Sequence, residues 1–378
     1  MLKRFLNNFT KVEPIAAGVY QKQSAPEEQP PYRIHLRLQP DGSGVLIVNA
    51  ATVLHLNPAA AEYAYHFIRG TAPQDAAQEV SHRYHVDRTT ALKDYTDFAD
   101  RIQALVTTPD LDPVSALEFE RVPPHSADMT APLRLDCALT YRLPAGTQAE
   151  YAPTKRVDRE LSTEEWFSIL DKAWVAGVPH VTFTGGEATL RDDLPDLIAR
   201  AEKNGQVCGL LTDGLKLAEK QYLDLLLQTG IDHLLFILQP RNQASWKALE
   251  VLMPEDIFVT VHLTITAANA AEAPAVLERL SGLGVKSLSL TFADRQLSSP
   301  ELLNKAAHLG LALKYDLPVP YSSDHPVAME TAEDGAAEGA GKAWLYVEPD
   351  GDVLPAQGMA DRVLGNLLRD PWDSIYRK

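Results

Sequence analysis

The sequence has few cysteines. Among its 378 residues only Cys137 and Cys208 carry a thiol. An iron–sulfur cluster is held by several cysteine thiolates, so two thiols far apart in sequence do not form a complete ligand set. Both lie in apolar, strand-like runs, which favours a role as small buried hydrophobes. We expect no disulfide between them in a reducing compartment.

Long apolar runs and excess positive charge are also missing. No segment approaches the roughly 20 apolar residues of a membrane-spanning helix, and residues 1–12 lack the apolar core of a secretion signal. Fifty-one acidic residues against 35 basic ones give a net charge of −16, which repels nucleic acid and anionic lipid. We therefore expect a cytoplasmic protein that binds neither nucleic acid nor membranes.

Several catalytic motifs are absent too. The 11 histidines show no HxxxH or HxH spacing with carboxylates that would indicate zinc. The sequence contains neither a P-loop nor a GxSxG nucleophile elbow. His180 and His233 open predicted strands, where a packed histidine is the ordinary interpretation. No metal site and no catalytic residue is predicted from these patterns.

The first third of the chain predicts an arm and a small domain. Residues 1–31 include four prolines after position 13 and read as a flexible arm. Strands are predicted at 33–39, 45–50 and 53–56. Three helices follow: Asn57 before Pro58 indicates the N-cap of the first, and Thr89 or Thr90 caps the third. This is a winged-helix-like α+β domain over residues 32–106.

The rest of the chain alternates strands and helices. Residues 107–132 contain five prolines and read as a linker. Glycines close most of the predicted helices, and the alternation predicts parallel strands joined by right-handed crossovers. We expect a partial (β/α)6 TIM-like barrel over residues 133–325, with chemistry at the carboxyl ends of its strands, and a C-terminal extension over 326–378. The predicted strands are 133–141, 180–184, 207–212, 233–239, 258–266 and 287–292; the helices are 162–176, 190–204, 219–229, 243–253, 272–283 and 300–308.

Two parts of the barrel region resemble one family. Gly185-Gly186-Glu187 follows the second strand and resembles the motif by which radical S-adenosylmethionine (SAM) enzymes hold the amino group of SAM. A tight strand-to-helix turn would also explain the glycines. Thr212-Asp213-Gly214 resembles the family's Thr-Asn-Gly turn. The C-terminal WLYVEPDGDVLPAQG and LGNLLRDPWDSIY are similar to the SPASM or twitch extension of peptide-modifying radical SAM enzymes.

The N-terminal domain carries a third resemblance. GVLIVNAATVLHLNPAAAEYAYHFIRG is similar to the PqqD-like domains that recognise precursors of ribosomally made peptides. Such domains bind a leader peptide as an added strand beside their third strand and against their third helix. For each residue singly, a place in the domain core is an equally good interpretation. The resemblance implies the following peptide-binding residues: Val53, Leu54, His55, Leu56, Tyr84, Leu92 and Tyr95.

The cluster-binding cysteines of the family are absent from this sequence. The C-x3-C-x2-C positions after the first strand hold Leu143, Thr147 and Glu150, and Ala356 stands where relatives have a cysteine in the extension. The resemblance then implies no iron–sulfur cofactor. S-adenosylmethionine is expected to bind weakly, through the remaining motif Gly185, Gly186 and Glu187.

These observations support a leading function and an alternative. The leading hypothesis is a catalytically inactive radical-SAM-like protein that binds a leader peptide, an active radical SAM enzyme or both, or itself as a homodimer. The alternative is an enzyme with repurposed SAM-dependent or acid–base chemistry without a cluster, for which the barrel mouth offers Glu150, Glu187, Asp213, Gln239 and Arg241. Deliberate removal of the cysteines is disfavoured, because noncysteine positions of the 143–150 loop also differ from the family.

Overall fold

The computed structural model describes residues 14–25, 27–49, 52–108, 111, 129–314, 317–332 and 338–376. It divides into two compact units, Met1–Thr130 and Ala131–Lys378. Each unit has its own hydrophobic core. Within these described ranges, no helix is long and apolar enough to cross a lipid bilayer.

The N-terminal unit is an antiparallel sheet with three helices. The strands pair in the order β1-β2-β3-β4, so β1 and β4 are its edges. Side chains from alternate positions, among them Ile34, Leu46 and Leu54, pack with the helices in one core. The elements are β1 Gly18–Gln23, β2 Arg33–Leu38, β3 Gly44–Val48, β4 Thr52–Leu56, α1 Pro58–Arg69, α2 Pro73–Tyr84 and α3 Arg88–Thr107.

This unit differs from the prediction in two details. Strand β1 lies within the predicted arm and pairs along all of β2; the prolines around its short sequence concealed it. The cap of α3 is Asp87, because its carboxylate accepts the backbone N–H groups of Thr89 and Thr90. The Asn57 cap of α1 is as predicted. The predicted linker lies mostly outside the described residues, as do residues 1–13 of the arm.

The C-terminal unit is built on a ten-stranded, mostly parallel sheet, and the predicted α/β fold is confirmed. Its order is β11-β10-β9-β8-β7-β6-β5-β12-β13-β14. The parallel strands are β5 Arg134–Thr140, β6 His180–Gly185, β7 Val207–Thr212, β8 His233–Ile237, β9 Phe258–Ile265, β10 Ser287–Phe292 and β11 Ala312–Lys314. The helices between them are α4 Thr163–Ala176, α5 Leu194–Asn204, α6 Lys220–Gln228, α7 Gln243–Leu252, α8 Ala273–Gly282 and α9 Pro300–His308.

The two faces of this sheet differ in polarity. Outward side chains such as Leu135, Cys137 and Phe183 pack against the helices. The alternate positions, which face the barrel interior, are largely polar. His262 of β9 is buried there between the hydroxyls of Ser289, 3.0 Å away, and Thr264, 3.1 Å away. A polar interior is suited to a ligand rather than to packing alone.

The C-terminal extension continues the same sheet. Strand β12 Trp344–Val347 pairs in parallel with β5, and β13 Asp352–Leu354 and β14 Gly365–Asn366 follow as antiparallel neighbours. The Asp350-Gly351 turn joins β12 to β13, with Gly351 at φ 90°. The short helix α10 Trp372–Tyr376 ends the described chain.

Candidate functional site

The Gly185-Gly186-Glu187 turn packs tightly on the end of β5. The backbone N–H of Gly186 donates to the Thr140 carbonyl at 2.8 Å, and that of Glu187 donates to the Arg142 carbonyl at 2.9 Å. A Cβ atom at position 186 would lie 2.2 Å from the Arg142 carbonyl oxygen. Glycine is therefore required so that the turn can approach β5, and this approach places Glu187 at the barrel mouth.

Glu187 is buried and joins the turns that follow β6 and β7. Its Oε1 accepts the backbone N–H of Thr189 at 2.9 Å and the hydroxyls of Thr189 and Thr212 at 2.6 and 2.7 Å. Its Oε2 accepts the backbone N–H of Asp213 at 2.8 Å. These hydrogen bonds fix the position of the carboxyl group. None of the four donors is a cation.

Asp213 supplies a second carboxyl group beside Glu187. Its side chain is 8% exposed, and its Oδ1 accepts the Leu215 backbone N–H at 2.9 Å. Burial and the neighbouring Glu187 charge raise the pKa of Asp213 to about 8. The direction of this shift disfavours two negative charges on the neighbouring carboxyls of Asp213 and Glu187.

Both carboxyls line a cavity of about 210 Å³ at the carboxyl ends of the strands. Its walls come from the 143–150 loop, the turns after β6 and β7, the end of β8 and a later part of the chain. The lining includes Thr147, Gly186, Glu187, Asp213, Gln239, Asn242 and Tyr321. A second cavity of about 430 Å³ adjoins it and shares Gln239, Asn242 and Ser323.

Residues 317–326 cross the barrel mouth; we call them the crossing segment. The Tyr321 backbone N–H donates to the Gly185 carbonyl at 2.9 Å. Val319 packs against Leu211, Leu235 and Ile237 in the barrel interior. The Gln357 side chain bonds both the N–H and the carbonyl of Val319. The crossing segment thus closes one side of the first cavity.

A buried polar network supports this wall. Arg156 donates through Nε to Glu348 at 2.6 Å and through Nη1 to Glu330 at 3.1 Å. The hydroxyl of Tyr141 donates to the same Glu348 oxygen at 2.8 Å. Tyr141 and Tyr321 meet edge to face with ring centroids 5.5 Å apart. The network connects β5, the chain after the 143–150 loop, the crossing segment and β12.

Comparison with known proteins finds a family model that matches the barrel region. Residues 137–291, which contain the Gly-Gly-Glu turn, match the model of the radical SAM superfamily. The predicted resemblance is confirmed.

Two curated relatives are PqqA peptide cyclases. That of Granulibacter bethesdensis is 28% identical over 238 residues, which are 58% of this chain and 60% of that protein. That of Streptomyces rochei is 27% identical over 278 residues, 65% of this chain and 76% of that protein. The chain thus spans less than two thirds of the length of the first of these relatives.

Two solved structures of Streptococcus suis SuiB share the fold of this chain. SuiB bound to its precursor peptide SuiA superposes with a TM-score of 0.58, and SuiB bound to S-adenosylmethionine with 0.57. Each match covers 91% of this chain and 87% of SuiB at 14% identity. At that identity the likeness shows the fold.

The prediction on cofactors is wrong for this family. It expected no iron–sulfur cluster and only weak binding of S-adenosylmethionine, whereas radical SAM proteins bind both groups and SuiB of the same fold holds S-adenosylmethionine. The prediction considered only the loop at residues 143–150. The match extends over residues 137–291, and the Glu187 turn that faces the cavity is intact.

The residues at the family's cluster position are not cysteines. Leu143 packs with the apolar group around Tyr141 and Tyr321, and Glu150 is exposed. Cys137 and Cys208 are fully buried and face the helix layer, away from the loop. These residues do not supply thiolates at the family's cluster position, so they do not fit that group. No step of the function proposed below passes through a cluster.

The residues predicted to bind peptide lie together in the N-terminal unit. Val53, Leu54, His55 and Leu56 form β4, at the edge of the sheet. Leu54 and Leu56 point into the core, whereas Val53 and His55 are half-buried on the other face. Tyr95 of α3 is buried, and Leu92 and Tyr84 pack partly against the same core. Burial and Glu62 raise the pKa of Tyr84 to about 12, so its hydroxyl stays neutral.

The structure brings together some of the acid–base candidates. Glu187, Asp213 and Gln239 line the first cavity. Arg241 lines the second and pairs with Glu272 at 2.9 Å, whereas Glu150 lines neither. Sequence reasoning missed Thr189 and the crossing segment. Thr189 stands two residues after Glu187 and was a detectable signal; the crossing segment, which begins at residue 317, was not.

Proposed function

We propose that this radical SAM protein binds a ribosomally made precursor peptide in a peptide-modification pathway and performs no radical chemistry itself. In this proposal residues 32–106 are a PqqD-like recognition domain, 133–325 the radical-SAM-like barrel and 326–378 a degenerate SPASM-like extension. The 1–31 arm and the 107–132 linker complete the division. An active radical SAM enzyme, or a second copy of the chain, is the proposed protein partner.

The observation that carries the proposal is the edge strand β4. It pairs with β3 on one side, and no strand covers its other side among the described residues. Val53 and His55 are half-buried beside that edge. An extended peptide added there would gain backbone hydrogen bonds from β4 and side-chain contacts with the neighbouring helices. The peptide named with SuiB and the peptide cyclase relatives support this class of partner.

The test is binding of synthetic leader peptides encoded near the gene, measured by fluorescence anisotropy. Val53→Asp is expected to weaken binding at least tenfold, because it places a charge against the added strand. Val19→Asp is the matched control, since Val19 is half-buried on the opposite edge strand β1. Equal losses in both variants, or no binding of any such peptide to the unaltered protein, would contradict the proposal.

Inactivity in radical chemistry has a separate test. Its support is the ligand set Leu143, Thr147 and Glu150, since initiation of the radical depends on iron held by thiolates. After anaerobic reconstitution with iron and sulfide, we expect no conversion of S-adenosylmethionine to deoxyadenosine. Formation of deoxyadenosine at stoichiometric or greater amounts would end this part of the proposal.

A second candidate function rests on the first cavity. Glu187 and Asp213 are two buried acids on its wall, an arrangement suited to acid–base work on a bound small molecule such as S-adenosylmethionine. Thermal stabilisation by S-adenosylmethionine, lost in Glu187→Gln, is the expected result. If the protein binds the peptide but is not stabilised by S-adenosylmethionine, the second function is excluded and the first is retained.

A further inference from the structure

The crossing segment has the backbone of a bound peptide. Its residues 317–321 read Leu-Pro-Val-Pro-Tyr, and residues 317–326 belong to no helix or strand. Pro318 and Pro320 lack an N–H group and hold the residues before them extended. Val319 therefore presents its N–H and its carbonyl outside any strand ladder, and both groups need partners.

Gln357 of the C-terminal extension supplies both partners. The Val319 N–H donates to its Oε1 at 3.0 Å, and its Nε2 donates to the Val319 carbonyl at 2.8 Å. The two residues are 38 positions apart in sequence, so the contact is not a local turn. A side-chain amide that bonds both groups of one residue takes the place of a neighbouring strand. Gln357 thus recognises an extended backbone.

Val319 also fills an apolar pocket in the largely polar barrel interior. The pocket residues are Leu211, Leu235 and Ile237. Two positions later, the Tyr321 N–H donates to the Gly185 carbonyl at 2.9 Å, and the Tyr321 ring meets the ring of Tyr141 edge to face. Backbone hydrogen bonds combined with side-chain anchors two residues apart are the contacts by which proteins bind extended peptides.

The later part of the segment is held less completely. The Nδ1 atom of His325 is buried and has no hydrogen-bond partner among the described residues. Its ring centroid lies 6.4 Å from that of His262 in the barrel interior. Because buried polar atoms are nearly always hydrogen-bonded, this nitrogen gains a partner when the segment leaves the barrel and meets water. That gain lowers the cost of a local opening.

We propose that the crossing segment is an internal peptide ligand that keeps the barrel mouth closed and detaches as a unit while the barrel stays folded. Bound, it contributes Tyr321 to the wall of the first cavity and Asp324 to that of the second. Detached, it leaves the Val319 pocket, Gln357 and the Gly185 carbonyl free for an extended peptide with an aliphatic residue two positions before an aromatic one. The contact is autoinhibitory, and it goes beyond the recognition proposed for strand β4.

Hydrogen exchange in the unaltered full chain measures the detachment. The amides of Val319 and Tyr321 are expected to exchange at least about tenfold faster than those of β6, because a local opening suffices to expose them. Their exchange should also depend little on low concentrations of urea, since that opening exposes little surface. Exchange of both amides at the rate of β6, with the same urea dependence, would mean that the segment leaves only when the barrel unfolds and would overturn the proposal.

A peptide supplied separately tests the recognition. The probe is a fluorescent peptide of residues 317–325, LPVPYSSDH. Val319→Asp weakens the internal segment but leaves its site intact, so this variant should bind the probe about tenfold tighter than the unaltered protein, whose own segment competes at a high effective concentration. A second substitution, Gln357→Leu, should reverse most of this gain because it removes both backbone hydrogen bonds. Gln221→Leu, at an exposed position, is the matched control and should retain the gain.

Thermal melting verifies that each variant folds. Tighter binding in Val319→Asp that Gln357→Leu removes and Gln221→Leu retains supports the proposal. A folded Val319→Asp variant that binds the probe no better than the unaltered protein, or equally well with Gln357→Leu, overturns it. If Val319→Asp does not fold, the exchange rates of the unaltered protein decide.

Discussion

At the scale of single residues, the site depends on the absence of a Cβ atom at Gly186. The motif glycines allow the backbone after β6 to touch the backbone after β5, and this contact sets the direction of Glu187. Their role in the folded chain is therefore partly structural, whatever ligand the cavity takes. A similar case is Gly209 of β7, where a Cβ atom would lie 2.0 Å from the His233 ring.

Gly186→Ala tests this contact. The added Cβ would lie 2.2 Å from a backbone oxygen, so β5 and the turn must separate, and we expect a loss of about 2 kcal/mol in the free energy of unfolding. Gly282→Ala is the control, because nothing lies within 4 Å of its Cβ position and alanine favours the helix. Urea denaturation measures both; equal midpoints for the two variants would contradict the expected close contact.

A pair of histidines predicts a pH dependence. The Nε2 atoms of His180 and His233 lie 2.7 Å apart, so one ring donates and the other accepts. Burial lowers the pKa of His180 and lowers that of His233 to about 4. Because the unfolded chain takes up protons first, stability is retained above about pH 6.5 and lost as the pH falls toward about 4.

His233→Phe removes one of the two titrating imidazoles. The drop in urea midpoint between pH 7.5 and pH 4.5 should become smaller than in the unaltered protein. His308→Phe, at an exposed position, should leave the drop unchanged. If both variants keep the full drop, other groups cause the acid instability.

At the scale of elements, the wall of the cavity depends on charges that meet from distant parts of the chain. Burial raises the pKa of Glu348 and of Glu330, and Arg156 holds both. Its partners lie 192 and 174 residues away in sequence. Removal of Arg156 would leave two buried acids without their cation.

Arg156→Ala is therefore expected to destabilise the C-terminal unit by about 3 kcal/mol. Arg159→Ala provides the matched control, because Arg159 pairs with Glu165 at the surface and surface pairs contribute little. Chemical denaturation followed by tryptophan fluorescence gives the comparison. A small effect of Arg156→Ala, equal to that of Arg159→Ala, would show that the network does not hold the wall.

Prediction from sequence succeeded where the signal was local. The glycines that close helices, among them the left-handed Gly177 and Gly205, and the apolar strands defined the barrel elements. The Glu187 turn was also detectable, because Gly185-Gly186-Glu187 is one continuous stretch of sequence; its contacts with Thr212 and Asp213 appear only in the folded sheet. Strand β1 was missed because its pairing partner, not its own composition, makes it a strand. The Arg156 network and the crossing segment were missed because only the folded sheet brings their residues together.

At the scale of the whole molecule, the C-terminal extension is part of the barrel's sheet. Strand β12 carries Tyr346 into the interior beside Tyr141 and Tyr321, and Glu348, directly after the strand, bonds Arg156. Side chains of the extension thus support the 143–150 loop from behind. These side-chain contacts hold the 143–150 loop in place. The loop therefore keeps its position at the barrel mouth although it carries no cysteine.

The two units have cores with no residue in common, and this predicts two unfolding transitions in calorimetry. Ile34 is fully buried in the N-terminal core and Leu135 in the C-terminal core. Ile34→Ala should lower one transition and Leu135→Ala the other, each by a loss of about 3 kcal/mol. Because leader-peptide binding is proposed for the N-terminal unit, a bound peptide should raise the transition that Ile34→Ala lowers and leave the second in place. A single transition that both substitutions shift would mean that the units unfold together, and peptide recognition would then depend on the barrel as well.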